Sequence, residues 1–215
     1  MTTTAAQQRA GAVSANVLVG VRATAQREGV RQTAGISKQM HKTELLAQLE
    51  NAKNNYILGL AALALFGDSR TYTVLEEARC AFGTHSVEFS QVATLLRIDT
   101  DRAIAMKEFV NMLLRIPIKE SFELLKNHCA ETGQAPLLQN QPWYEFARVI
   151  RNSLSHNFRL QFRKHDRSLL PVTWRGRTIE LAMDGAHLEL SFFGYVQAWE
   201  LFADFRDFAI NRLAA

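Results

Sequence analysis

Apolar side chains recur every three or four residues over the first long segment that follows Ser37. This spacing places them on one stripe of a helix, which Ser37 caps and which Gly67 and Asp68 end. The stripe consists of Leu45, Leu49, Ala52, Tyr56, Leu60 and Leu63. The pattern therefore predicts a long core helix.

Three shorter helical patterns follow, over residues 70–82, 86–97 and 100–115. Pro117 lacks an amide hydrogen and clashes with the preceding turn, so we expect it to interrupt the last of them. The pattern resumes beyond the proline and stops at Gly133. Together these segments predict a bundle of helices.

A further helix is predicted after Pro142, which the first turn of a helix tolerates. Its buried face consists of Phe146, Val149, Ile150 and Leu154. We expect it to end near Asn157, because asparagine, after glycine, is the usual residue in a left-handed conformation at a helix end.

Apolar and polar residues alternate between residues 171 and 190. The alternating runs are 172–174, 178–181 and 187–190, with turns at 175–176 and 184–185. This pattern predicts a small β-hairpin or a three-stranded ribbon. The predicted fold class is therefore mainly α, a helical bundle with a small β-hairpin or ribbon inserted before the last helix.

Seven aromatic side chains crowd that last helix, which is predicted over residues 192–213. They are Phe192, Phe193, Tyr195, Trp199, Phe202, Phe205 and Phe208. Seven are too many for one narrow stripe. The helix is therefore either central to the core or also faces a partner subunit, and burial in the core is the simpler interpretation.

The length of 215 residues suits one domain with a sizeable core. Residues 1–36 are rich in Ala, Thr, Gln and Gly and predict a flexible or peripheral arm, so residues 37–215 are expected to form the helical domain. The longest apolar run, at 56–66, has eleven residues, which is too short for a membrane span. The start lacks the features of a secretory signal, so we expect a cytoplasmic protein that uses no membrane.

Several classes of site are excluded by the residues present. Cys80 and Cys129 do not make a disulfide scaffold or, by themselves, a zinc site. The six histidines lack metal-binding spacing, the eleven glycines form no phosphate-binding loop, and no serine lies in a nucleophile elbow. We therefore expect neither a metal nor a cofactor.

Positive charge is concentrated in one part of the chain. The net charge is only +4, yet residues 145–177 carry eight Arg or Lys against two acidic residues. The basic residues are Arg148, Arg151, Arg159, Arg163, Lys164, Arg167, Arg175 and Arg177. Such a local field suits a polyanion such as RNA, and a solvated charged face is the simpler alternative.

Residues 151–157, with the sequence RNSLSHN, lie at the end of the capped helix inside this basic region. Cleavage of RNA without a metal requires a base, an acid and positive charge on the phosphoryl oxygens. Arg151 offers a planar fork to phosphate, and His156 offers proton transfer, with its imidazolium favoured by the helix dipole. Asn152 is four residues before His156 and so lies on the same helical face, where it is placed to orient the ring or the phosphate.

Arg151 and His156 are five residues apart, which is about 140° around an ideal helix. One protomer is therefore poorly placed to clamp one phosphate with both side chains. A two-fold dimer with facing motif helices would bring two histidines and two arginines into one cleft, where separate side chains serve as acid and base.

The combination of Arg151, the polar Asn152 and His156 resembles the Arg-x4-His signature of the HEPN superfamily of small helical proteins. A weaker resemblance, a mostly helical chain with one more helix after the motif, extends over residues 40–213. It implies a metal-independent ribonuclease with a composite site across a homodimer, acting as a toxin or antiphage effector. In one toxin subgroup the target of inactivating nucleotide transfer is a Tyr two residues after the His, where this chain has Phe158.

We therefore predict an endoribonuclease that leaves a 2′,3′-cyclic phosphate, with Arg151, Asn152 and His156 as catalytic residues and an antitoxin or regulatory protein as a further partner. The residues predicted to bind RNA are Arg148, Asn157, Arg159, Arg163, Lys164 and His165.

Trp174 could stack on a base, although a ribbon Trp more often packs against its own helices. The alternatives are a non-catalytic HEPN-like dimer that binds RNA, nucleotide or a partner protein, and a structural adaptor that uses the last helix as its interface.

Overall fold

A computed structural model describes residues 41–214, so the predicted arm over residues 1–36 lies outside the described residues. The described part is mainly helical with two small antiparallel strand pairs, which confirms the predicted fold class. Its α-helices are α1 (Lys42–Phe66), α2 (Ser69–Glu77), α3 (Ser90–Arg97), α4 (Asp99–Arg115), α5 (Ser121–Glu131), α6 (Ala135–Gln139), α7 (Tyr144–Ser155), α8 (Lys164–Leu169) and α9 (Tyr195–Asn211). Its strands are β1 (Arg79–Phe82), β2 (His85–Glu88), β3 (Val172–Trp174) and β4 (Arg177–Ile179). No helix within residues 41–214 is long and apolar enough to cross a membrane.

Helix α1 confirms the predicted apolar stripe. Leu45, Leu49 and Tyr56 are buried in the main core. The Tyr56 hydroxyl also donates a hydrogen bond to the carbonyl oxygen of Tyr195 at 2.8 Å, at the start of α9. The predicted cap, Ser37, lies outside the described residues. Helix α1 thus forms one long side of the core, against which α4, α5 and α9 pack.

The helices predicted over residues 70–82 and 86–97 are shorter in the structure, because α2 ends at Glu77 and α3 begins only at Ser90. The chain between them is not helical. Its middle forms an antiparallel hairpin in which Arg79 of β1 lies opposite Glu88 of β2. At the turn Gly83 has a φ of 61°, a left-handed conformation that glycine adopts readily and that does not continue a helix. The segments on either side, Arg79–Phe82 and His85–Glu88, are too short for their patterns to distinguish a helix from a strand, so the glycine turn decides between them.

Pro117 does not interrupt the helical path in the way predicted. The chain widens into one π-helical turn, Ile116–Glu120, that joins α4 directly to α5. Such a widened turn is a known way for a helix to accommodate a local irregularity. Ile118 is fully buried, and the turn packs against α1, α7 and α9. The π-helical turn therefore lies at the centre of the bundle.

Helix α9 supplies much of the core. Phe202, Phe205 and Phe208 are each at most 1% exposed, and the rings of Phe205 and Trp143 lie 4.9 Å apart. Trp199 is 41% exposed, so not every aromatic side chain of the helix is buried within the protomer. Burial in the core nevertheless accounts for most of the aromatic residues in this helix.

The predicted ribbon is a two-stranded hairpin, β3 paired antiparallel with β4, and the run at 187–190 is not its third strand. Gly185, with a φ of 79°, turns the chain toward the residues that follow α7. There the amide of Leu188 donates to the carbonyl oxygen of Phe158 at 2.6 Å. This pairing brings His187 beside the end of α7.

A close backbone approach fixes the start of α9. A Cβ atom at Gly194 would lie 2.5 Å from the carbonyl oxygen of Leu190, whereas one at Gly67 would lie 3.4 Å from its nearest neighbour, the Ala64 carbonyl oxygen. We expect Gly194→Ala to lower the free energy of unfolding by about 1–3 kcal/mol, because the backbone must shift to admit the methyl group. Gly67→Ala, the control, should change it by less than about 0.5 kcal/mol. Urea denaturation measures both variants, and equal losses would contradict the close approach.

Candidate active site

Helix α7 ends in a Schellman motif, which positions the residues of the Arg-x4-His signature. Asn157 has a φ of 52°, and the amide of Phe158 donates to the carbonyl oxygen of Ser153 at 2.9 Å, the long hydrogen bond of this motif. The prediction that Asn157 caps the helix in a left-handed conformation is confirmed. His156 is the C-cap residue, with a φ of −112°, so it does not continue the helical face of Asn152 as an ideal helix would.

Phe158 also has a left-handed backbone, with a φ of 59°. A bulky side chain rarely takes this conformation, which costs about 1–3 kcal/mol. Its ring is buried, with the guanidinium carbon of Arg115 5.8 Å from the ring centroid. The ring of His187 is stacked on it at a centroid distance of 6.2 Å. These contacts fix the turn that follows His156.

Arg151 lies partly buried between α7 and α5. One end of its guanidinium forms an ion pair with Glu123, and Nη1 donates to the side-chain oxygen of Asn152 at 2.8 Å. Burial lowers the pKa of Arg151, and the charge of Glu120 acts against that shift. The Nε atom is buried without a hydrogen-bond partner among residues 41–214. The fork predicted to hold phosphate is therefore already engaged by a carboxylate and an amide.

The imidazole of His156 is exposed and forms no hydrogen bond or ion pair with another residue of the described range. An exposed histidine of this kind is available for proton exchange with a substrate. Asn152, predicted to orient the ring or the phosphate, instead accepts a hydrogen bond from Arg151. The signature is thus divided into a paired Arg151 and Asn152 and an unengaged His156.

Arg148, which was predicted to bind RNA, is held by two carboxylates. Its Nε donates to Glu145 at 2.7 Å, and its Nη1 donates to Asp166, which is only 2% exposed. Asp166 also accepts the backbone amide of Arg163 at 2.7 Å at the start of α8. Burial by itself lowers the pKa of Arg148, but the hydrogen bonds to both acids outweigh it and the net shift is upward. Arg148 therefore links α7 to α8.

The other predicted RNA-binding side chains lie on the surface after α7. They are Asn157, Arg159, Arg163, Lys164 and His165, all exposed. Arg159 donates to the carbonyl oxygen of Gly185 at 3.2 Å, and it makes no ion pair with an acid of the described chain. Exposed cationic and polar side chains therefore follow His156 within nine residues of the chain.

The positive surplus of residues 145–177 is partly neutralised in the fold. Three of its arginines form ion pairs with acidic residues from other segments of the chain. These pairs are Arg151–Glu123, Arg167–Asp184 and Arg175–Asp204. The charge counted along the sequence therefore overstates the field available to a polyanion.

Trp174 packs inside the protein. It is 5% exposed, its ring stacks on Phe146 at 5.3 Å, and its Nε1 donates to Asp204 at 2.8 Å. The alternative that a ribbon Trp packs against its own helices is the one observed. Trp174 offers no exposed face on which a base could stack.

A cleft of about 210 Å³ opens beside the end of α7, and sequence reasoning missed most of it. Its polar lining consists of Glu108, Asn111, Arg115, Asn157 and His187. Four of these belong to α4 or to the chain before α9, which no local pattern connects to α7. The one available signal was Asn111, a polar residue beside the apolar Val110 and Leu113 of α4.

The described side chains bear on two further kinds of chemistry, metal binding and catalysis by a thiol. Within residues 41–214, no three His, Cys, Asp or Glu side chains are grouped so that they could hold a metal ion. Cys129 is fully buried, and burial raises the pKa of its thiol to about 11. A thiol in that environment is a poor nucleophile.

Comparisons of the chain with models of protein families, with curated proteins and with solved structures find no match.

Proposed function

We propose that the protein is a metal-independent endoribonuclease with a site built from Arg151 and His156. The observation that carries the proposal is the imidazole of His156, exposed at a rigidly capped helix end and without a partner in residues 41–214. Exposed cationic side chains at Arg159, Arg163 and Lys164 follow it in the chain and suit contacts with phosphates.

The proposed reaction is attack of a ribose 2′-oxygen on the neighbouring phosphorus. The proton of the 2′-hydroxyl passes to a neutral imidazole as the new bond to phosphorus forms. The bond between phosphorus and the 5′-oxygen breaks, and an imidazolium gives that oxygen its proton. The products are a 2′,3′-cyclic phosphate and a 5′-hydroxyl, and Arg151 stabilises the charge on the phosphoryl oxygens.

This reaction uses two imidazoles, one as base and one as acid. We therefore propose a two-fold homodimer in which His156 of a second protomer completes the site. The resemblance to the HEPN superfamily favours the same arrangement. It also favours a role as a toxin or antiphage effector that an antitoxin or regulatory protein restrains.

Arg151 must exchange one anion for another in this proposal. Its present partner, Glu123, presents a carboxylate to the same guanidinium that would bind the phosphate. Arginine pairs with either group through parallel hydrogen bonds, so the two compete directly. Glu123 consequently weakens the binding of RNA at this site.

A non-catalytic module that binds RNA or a protein partner is the second candidate. The same ion pair favours it, since an arginine that is partly buried and paired with Glu123 joins α7 to α5 and can serve the fold alone. On this hypothesis the exposed cations bind a partner, and His156 takes no part in a reaction.

The proposed reaction is tested with His156→Ala, assayed with total RNA in the presence of EDTA. We expect the wild-type protein to produce fragments with cyclic phosphate ends and the variant to lose at least about 100-fold in rate, the usual contribution of acid or base catalysis. His85→Ala, which removes an exposed histidine of β2 outside the basic segment, is the control and should retain most of kcat. Equal loss in both variants, or no cleavage by the wild type, would favour the non-catalytic module.

A second prediction concerns Glu123→Gln, which keeps the shape of the side chain but removes its charge. Because Arg151 is then released to phosphate, we expect the Kd for single-stranded RNA to fall by about threefold to tenfold. Glu145→Gln removes the same charge from beside Arg148 and is the control for the change in net charge. An equal gain from the two variants would contradict the competition between Glu123 and phosphate.

A further inference from the structure

The cleft beside the end of α7 contains polar groups that the fold leaves unpaired. Asn111 is 7% exposed, and its Oδ1 has no hydrogen-bond partner among residues 41–214. The Nε of Arg115, four residues further along α4, is likewise buried and unpaired within that range. A buried acceptor and a buried donor without partners are unusual in a native protein and point to a ligand that pairs with both.

The position of Asn111 is held by its other side-chain atom. Its Nδ2 donates to Glu108 at 3.4 Å, one turn earlier in α4. This contact assigns the nitrogen to Glu108 and leaves the oxygen as the acceptor for a ligand. The contact with Glu108 therefore sets the orientation of the amide, and Oδ1 is the atom of Asn111 that stays unpaired.

The cleft also has a planar aromatic element. The ring of Phe158 contacts two flat groups, the guanidinium of Arg115 and the stacked ring of His187. Flat groups that already stack on one another are suited to a flat ligand, because guanidinium and imidazole planes both stack on aromatic rings. His187 is exposed and lines the cleft, and its Nδ1 lies 3.5 Å from a carboxylate oxygen of Glu189.

The size of the cleft limits the ligand. About 210 Å³ is less than the roughly 300 Å³ at which sites for drug-sized molecules begin. It suits one planar ring system with polar edges and excludes a folded peptide segment. Asn157, which lines the cleft, directly follows His156 in the chain, so the lining of the cleft begins one residue after the proposed catalytic histidine.

We propose that this cleft binds a single nucleobase of the RNA strand, adjacent to the phosphate that is cleaved. The inference rests on the proposed function and deepens it, since it supplies the specificity of that site. The Asn111 oxygen accepts a hydrogen bond from an amino or ring N–H group of the base. The Arg115 Nε donates to a ring nitrogen or carbonyl oxygen beside it, which is the pattern that a base edge presents.

The test is binding of the four free nucleosides to the full chain, followed by NMR titration. Nucleosides lack phosphate, so their binding reports the base cleft and is independent of cleavage. We expect saturable binding of at least one nucleoside to the wild type and at least tenfold weaker binding to Asn111→Leu. Asn127→Leu, which changes an exposed asparagine of α5, is the control and should bind as the wild type does.

Folding of the variant is checked in the same experiment. Asn111→Leu keeps the branched shape of the side chain, and the removal of the unpaired oxygen offsets the loss of the 3.4 Å hydrogen bond from Nδ2 to Glu108, so its melting temperature should stay close to that of the wild type. If it unfolds instead, Arg115→Lys serves as the second variant, because it keeps the charge and loses the Nε donor. We expect that variant also to bind the nucleoside at least tenfold more weakly.

Three results would overturn the proposal. They are no saturable binding of any nucleoside to the wild type, equal binding to wild type and both variants, and binding of inorganic phosphate at the cleft in place of the base. The wild-type protein can fail to cleave RNA, in the assay that compares it with His156→Ala, while nucleosides still bind at the cleft. That outcome supports the base site and removes only the proposed reaction.

Discussion

The burial of one face of α7 against the π-helical turn Ile116–Glu120 is the contact on which the rest of the site depends. Val149, Ile150 and Leu154 are at most 4% exposed, so helix α7 has little freedom to rotate or slide. Its end, and the turn that follows, therefore keep a fixed position. A rigid support of this kind can hold a residue such as Phe158 in an unfavourable backbone conformation.

Apolar periodicity located α1, α7 and α9 because each buries a continuous stripe, a property that residues close in sequence determine. The same reasoning failed at the hairpin around Gly83 and at Pro117, where the local pattern fits two structures and packing selects one. A proline in the middle of the bundle was expected to break the helix. The contacts of its neighbours with three other helices stabilise a π-helical turn instead.

In the candidate site, too, features that are local in sequence were predictable and features that depend on tertiary contacts were not. The left-handed cap at Asn157 was predictable, since a Schellman motif is local to one helix end. The pairs Arg148–Asp166 and Arg151–Glu123 were not, because Asp166 and Glu123 lie in other helices and no local pattern pairs them with α7. The base cleft depends on α4 meeting the end of α7, a contact that only the tertiary structure specifies.

The central claim is that two protomers share one site with two copies of His156. It is tested by mixing wild type with His156→Ala under conditions that allow subunits to exchange, and by measuring RNA cleavage at constant total protein. In an equal mixture about one quarter of the dimers carry two histidines, so the account predicts about one quarter of the wild-type rate. A rate of about one half, proportional to the wild-type protein present, would mean that each protomer acts alone and would contradict the shared site.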